Sequence, residues 1–259
     1  MRTLNAPAWL IEGPIAHRGL HDVAQGVIEN TLDAAKAAIQ AGFAIECDVQ
    51  LSADGQAFVF HDDTLDRLTD RTGALIERSA TEIAGARISS AGASPPTFAE
   101  FLGLVAGRTP VVCELKSRFD RDWRIADRIA ALATSYDGPL AFKSFDPNLV
   151  AYLRLCWPLL GPKGRPCPVG IVAEASYDDP AWDFLTEEQK RECVDWEELM
   201  RRQPDFLSFK VDDLPHKTPF FMKQLYGLPV MTWTVRTADQ REAARKWADQ
   251  IIFEGKGRP

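Results

Sequence analysis

Apolar and polar positions along this chain follow two alternating rhythms. Short apolar runs of strand character occupy 14–17, 44–50, 110–116, 139–144, 168–173, 205–209, 229–235 and 249–253. Between them, apolar residues recur at spacings of three and four, which predicts helices over 31–41, 97–106, 122–134, 147–155, 181–201, 216–226 and 238–248. In the first of these, Leu32, Ala35, Ala38 and Ile39 share a face, with Asn30 placed as an N-cap and Gly42 as a stop. Strands alternating with helices predict a parallel sheet covered by helices. Eight such strands in 259 residues match the α/β class and, within it, a TIM (β/α)8 barrel. A doubly wound open sheet is the alternative, but no G-x-G-x-x-G turn follows the first strand.

One segment breaks the rhythm. Residues 51–96 open on the turn signal Ser52-Ala53-Asp54-Gly55, pass through a short apolar strand to His61, and continue as polar sequence to Pro95-Pro96. That is too long for an ordinary barrel loop. The expected organisation is a single barrel over 1–259 with a small insertion, approximately 51–96, after the second strand.

Charge then appears where the pattern calls for core. Glu46 and Asp48 stand two residues apart in an apolar strand, so they share one face while Cys47 and Val49 share the other. Two acids on a buried face repel unless a cation or a shared proton neutralises them. The pattern recurs at Val111-Val112-Cys113-Glu114-Leu115-Lys116, where an apolar strand again ends in charge, and short apolar runs lead to His17-Arg18 and His61. In a barrel such strand ends meet at one mouth, where active sites of this fold lie. Glu46, Asp48 and Glu114 form a hard-oxygen set suited to Mg2+ or Ca2+, and zinc is disfavoured because no Cys or His pair has structural spacing. Arg18 and Lys116 add two cations able to hold a phosphoryl group. His17 and His61 can divide general acid and general base roles. Each residue alone is weak: a lone His after an apolar run is more often structural, and a lone Glu at a strand end usually faces solvent. Their joint placement at the ends of successive strands carries the weight.

Composition narrows the class. With 46% hydrophobic and 26% charged residues the chain is an ordinary globular sequence. A net charge of −7 argues against a nucleic-acid partner, which needs a basic face. No apolar run has transmembrane length and no leader pattern opens the chain, so no integral membrane contact and a cytoplasmic location are expected. Five cysteines without paired spacing fit reduced thiols.

The residues also resemble a known family. His17-Arg18-Gly19, Glu29-Asn30-Thr31, Glu46-Cys47-Asp48-Val49 and the run from His61-Asp62 to Leu68-Thr69 follow the order and spacing of the glycerophosphodiester phosphodiesterase family. Glu114-Leu115-Lys116 matches its E-x-K strand, Ser144-Phe145-Asp146 a later loop, and Trp233-Thr234-Val235 its W-T-V strand. The resemblance implies a TIM barrel with an insertion after the second strand. It implies one divalent cation on Glu46, Asp48 and Glu114, His17 and His61 as the acid/base pair, and Arg18 and Lys116 on the phosphate. Trp233 is the aromatic that the family places against the alcohol of the substrate. The implied reaction takes a small-molecule glycerophosphodiester to glycerol 3-phosphate and an alcohol, through a cyclic phosphate formed by a substrate hydroxyl. Two departures stand out: Ile28 replaces a proline before Glu29, and Phe253-Glu254 replaces the Thr-Asp pair of the last strand, which leaves that strand's contribution open. The alternatives are a lysophospholipase D or sphingomyelinase D-like enzyme on the same barrel, which needs an apolar path beside the mouth, and a non-catalytic phosphodiester-binding barrel, which needs a broken catalytic set.

Overall fold

All eight expected strands form, joined by a ninth, in the computed structural model, which describes residues 6–88, 92–161 and 164–259. They are β1 (Ile15–Ala16), β2 (Ala44–Leu51), β3 (Ala57–Val59), β4 (Val111–Leu115), β5 (Leu140–Ser144), β6 (Val169–Ala173), β7 (Phe206–Lys210), β8 (Val230–Val235) and β9 (Gln250–Phe253). Eight of them pair in parallel and close into a barrel, because β1 pairs with β2 on one side and with β9 on the other. The extra strand, β3, turns back antiparallel on β2 after the tight turn at Ser52–Gly55. From β3 onward the segment has a small core of its own: Phe58, Phe60, Leu65, Leu75 and Ile83.

The helices are α1 (Trp9–Glu12), α2 (Leu32–Ala41), α3 (Ala80–Ala84), α4 (Phe98–Val105), α5 (Arg124–Ala133) and α6 (Pro147–Cys156), then α7 (Glu187–Val194), α8 (Trp196–Arg201), α9 (Lys217–Tyr226) and α10 (Ala238–Trp247). Two local expectations are corrected. The N-cap of α2 is Thr31, whose hydroxyl accepts from the Ala34 amide, because Asn30 takes a positive φ of 55° and turns its side chain to Asp48. The single helix expected over 181–201 is two, since Asp195 leaves helical geometry and its carboxylate accepts from the Glu197 and Glu198 amides. None of the described helices is long and apolar enough to cross a membrane.

Two apolar layers position the mouth. Outside the barrel wall, Cys47, Val49, Cys113, Leu115, Phe142, Ile171 and Phe209 pack against the helices. Inside, at the amino-terminal end, Leu10 of α1 joins Ile15, Ala44, Val112, Ala141, Phe206, Met231 and Ile252 in a plug. Gly170 makes room for it: a Cβ there would stand 2.3 Å from the Phe206 ring. The floor of the barrel is therefore dry, and charge begins one residue pair above it.

Candidate active site

Glu46 and Asp48 both point into the barrel above this plug, 0% and 1% exposed. Strand alternation sends Cys47 and Val49 outward into the helix-facing core, and all five cysteines are free thiols. Parallel register sets Asp48 opposite Glu114 and Glu114 opposite Lys143, so one row crosses three neighbouring strands. Glu46, Asp48 and Glu114 bring carboxylate oxygens within 4.8 Å of one another.

Cations bracket this cluster. Lys116 lies 2.6 Å from Glu114 Oε1 and 3.0 Å from Asp48 Oδ1. Lys143 lies 2.8 Å from Glu114 Oε2 and 3.0 Å from Glu46 Oε1. Arg18 donates from its backbone amide to Glu46 Oε2 at 3.1 Å, and its Nε stands 3.5 Å from Asp48 Oδ2. The charges respond to each other. Burial alone would push the Glu114 carboxyl up, but Lys116 and Lys143 outweigh it and hold it at about 2. Asp48 is likewise held well below the usual carboxylate range, its burial penalty overcome by Lys116, His61 and Arg18. Burial also works against the charged form of Lys116, yet Asp48 and Glu114 raise its pKa.

The two histidines sit on separate supports. His17, one residue past β1, hydrogen-bonds through Nδ1 to the Glu254 carboxylate, and its Nε2 is 3.8 Å from Glu46 Oε2. Burial would raise the Glu254 carboxyl, but the hydrogen bond from His17, with His21 and Arg236 nearby, holds it far below the usual range. An ionised Glu254 can only accept, so the His17 proton rests on Nδ1 and Nε2 is left facing the carboxylates. His61 follows β3, and its Nδ1 is 2.8 Å from Asp62 Oδ1. Arg67 donates to both Asp62 and Glu29, and Glu29 accepts from Arg18 at 2.6 Å. This ladder of alternating charge ties the His61 loop to the Arg18 turn. That turn is itself specific, because Arg18 and Gly19 both take positive φ, and a Cβ on Gly19 would meet Ala34 Cβ at 2.8 Å.

Trp233 is half-buried at the far side of the mouth, where its indole N–H donates to the Ser208 carbonyl at 3.1 Å. Its ring meets Phe145 edge-on at 5.5 Å, Phe145 meets Trp182 at 4.9 Å, and Trp182 meets Phe184 at 6.0 Å. Phe145 thus belongs to an aromatic row on the loops past the strand ends, whereas Phe209 packs in the helix-facing core. His216 is half-buried: it caps α9 and stacks on Phe209.

All eight residues named from the sequence stand around one barrel mouth. Others were missed. Lys143 and Asn30 are buried partners of the acidic cluster, and Asp62 backs His61. Glu174 and Lys210 form a 2.6 Å pair one and zero residues past their strands. Glu254 settles the departure in the last strand: Phe253 faces outward onto Phe43, and the carboxylate that follows points inward at His17.

A closed parallel barrel with buried carboxylates, paired cations and two backed histidines at its carboxyl-terminal mouth places the chain in the TIM-barrel class. Residues 17–254 match the sequence profile of the glycerophosphoryl diester phosphodiesterase family, and the chain belongs to that family. A glycerophosphodiester phosphodiesterase of Caldanaerobacter subterraneus subsp. tengcongensis is 39% identical over 111 residues, 40% of this chain and 44% of that protein. Glycerophosphodiester phosphodiesterase 1 of Bos taurus is 44% identical over 71 residues, 27% of this chain and 20% of the bovine one. The matched stretches therefore span less than half the length of these relatives. A phosphodiesterase of Oleispira antarctica, solved with its product sn-glycerol 3-phosphate, shares the fold with a TM-score of 0.75 at 21% identity, covering 94% of this chain and 93% of that one.

Proposed function

We propose that this protein hydrolyses a small-molecule glycerophosphodiester to glycerol 3-phosphate and an alcohol, using one divalent cation, Mg2+ or Ca2+, on Glu46, Asp48 and Glu114. The observation that carries the proposal is the convergence of those three carboxylates, within 4.8 Å of one another, beside His17, Arg18 and Lys116. Membership of the family supports it. The donor set fits a hard cation: three buried carboxylates whose oxygens lie within 4.8 Å of one another. When bound, such an ion supplies Lewis-acid polarisation of phosphoryl oxygens and acidifies a nearby hydroxyl.

The protein's own groups supply the rest. Arg18 Nε is a buried donor without a hydrogen-bond acceptor among the described residues, suited to a phosphate oxygen. Lys116 gives a second cation to the same group. In the first step a glycerol hydroxyl of the substrate attacks phosphorus and the bond to the alcohol oxygen breaks, giving a cyclic phosphate. One histidine takes the hydroxyl proton and the other protonates the departing alcohol; water then opens the ring with the roles reversed. Glu254 and Asp62 fix which nitrogen of each ring is free for this work. Trp233 is the surface for the alcohol. The five unpaired cysteines support the further expectation of a reducing, cytoplasmic setting.

The test is glycerol 3-phosphate release from a panel of glycerophosphocholine, glycerophosphoethanolamine and glycerophosphoglycerol, with Mg2+, Ca2+ or Mn2+ supplied. Release abolished by chelation and by His17→Ala is the expected result. No release on any substrate with any ion sinks the proposal. A second reading, a lysophospholipase D-like preference, is favoured by one observation: Phe184, at the outer end of the aromatic row from Trp233, is 55% exposed. Turnover of lysophosphatidylcholine above that of glycerophosphocholine would select it.

A further inference from the structure

Lys143 is a buried cation with no role in the reaction as drawn. It rises from β5 into the barrel, 2% exposed, whereas the Lys116 side chain at the mouth is 22% exposed. The two lysines take different oxygens. Lys143 holds Glu46 Oε1 and Glu114 Oε2, while Lys116 holds Glu114 Oε1 and Asp48 Oδ1. Lys143 therefore approaches the cluster from within the barrel, and Lys116 approaches it from solvent.

We propose that Lys143 is a fixed counter-charge of the cation site: it anchors Glu46 and Glu114 by one oxygen each and lowers the charge of the cage from three minus to two minus, matching it to a single divalent ion. This rests on the assignment of Glu46, Asp48 and Glu114 as the cation ligands. The physical need is plain. Three ionised carboxylates above a dry apolar plug repel strongly, and a divalent ion alone would leave one negative charge buried and uncompensated. Lys116, partly exposed on a flexible stem, can turn to an incoming phosphate without stranding the cluster. Lys143 has no such exit. It is a positioning residue, and its charge sets how tightly, and with what preference for valence, the site takes a cation.

Cation binding reads this directly, apart from turnover. Isothermal titration of Ca2+ and Mg2+, and Tb3+ luminescence with Ca2+ competition, are measured on the wild-type chain, Lys143→Gln, Lys143→Arg and Glu46→Gln. Lys143→Gln keeps a polar donor and removes the charge, so its Kd for Ca2+ should fall about tenfold or more and its preference for Tb3+ over Ca2+ should rise. Lys143→Arg, which keeps the charge, should stay within threefold of wild type. Lys143→Gln should also melt earlier in EDTA and gain more in Tm from Ca2+ than wild type does. If Lys143→Gln unfolds in EDTA, recovery of the fold by Ca2+ below the wild-type Kd supports the proposal, and no recovery at any Ca2+ overturns it. A Lys143→Gln protein that binds Ca2+ no more tightly than wild type, or shows an unchanged Tb3+ preference, also overturns it. The two failures are distinguishable. Wild-type protein that binds none of these ions sinks the ligand assignment, whereas binding lost in Glu46→Gln but unmoved in Lys143→Gln sinks only the role of Lys143.

Discussion

Glu254→Gln separates orientation of the His17 ring from the stability of the barrel. The wild-type carboxylate accepts from His17 Nδ1, accepts from Arg236 Nε at 2.7 Å, and lies 3.8 Å from His21 Nε2. Held ionised far below the usual carboxyl range, it can only accept, which favours the tautomer that donates from His17 Nδ1. An amide in its place can donate as well as accept, so the ring can reverse its tautomer and present a proton where a base is needed. A charge-assisted hydrogen bond to a buried imidazole is worth about 1.5–3 kcal/mol. At the upper end, about 3 kcal/mol, kcat falls about 100-fold. The stability cost is smaller, because the oxygen of the replacing amide can still accept from His17, and the Arg236 pair, 54% exposed on the arginine side, contributes under about 1 kcal/mol. The assay is glycerol 3-phosphate release at saturating substrate and cation, beside thermal melts followed by circular dichroism. Glu254→Asp should recover part of the lost kcat. A Glu254→Gln protein that is folded and keeps kcat within threefold of wild type refutes the orienting role, as does a loss confined to KM.

Four further outcomes follow from the same geometry. Glu46→Gln and Asp48→Asn should each lose cation binding by calorimetry and glycerol 3-phosphate release, with the far-ultraviolet spectrum unchanged. Acid should weaken the fold: Glu114 is lowered from 4.5 to about 2, so its contribution, about 3 kcal/mol, is complete above the ordinary value and drains as pH falls from about 5 to 2. Urea midpoints that stay level over that range would contradict the ion-pair cluster. Cys47→Ala should leave kcat/KM within twofold, because the thiol packs on the helix side of β2, away from the carboxylates. Gly170→Ala should lower stability by about 1–3 kcal/mol in a denaturant titration, since its Cβ would press the Phe206 ring from 2.3 Å inside the plug.

The sequence carried the strands because each strand announces itself locally, by an apolar run with turn residues on either side. The same alternation put Glu46 and Asp48 on the barrel side and Cys47 outside, and the folded chain agrees. Where reading failed, the missing quantity was a relation between strands. Lys143 alternates with Phe142 in plain view, yet only the parallel register of β4 and β5 sets it beside Glu114. Glu174 and Lys210 fall just past the strand ends read from the pattern, so their pairing across β6 and β7 was invisible. Apolar spacing over 181–201 predicts one helix, but the Asp195 carboxylate accepts from the Glu197 and Glu198 amides and makes Trp196-Glu197-Glu198 a new first turn.

Glu254 shows the limit most clearly. Its partner His17 lies 237 positions away, and the two meet only because β1 and β9 close the barrel. Taken as a departure from a family motif, Phe253-Glu254 leaves the last strand's role open. Taken with the register, the pair has a definite sense: Phe253 aligns with Ala16 on the outer wall and packs on Phe43, so the next side chain must point inward, toward the ring of the residue after Ala16. An inward carboxylate at that height supplies a backing acid for His17. The outward residue, Phe253, lies in the helix-facing core against Phe43, on the side of β9 turned away from the carboxylates of the mouth.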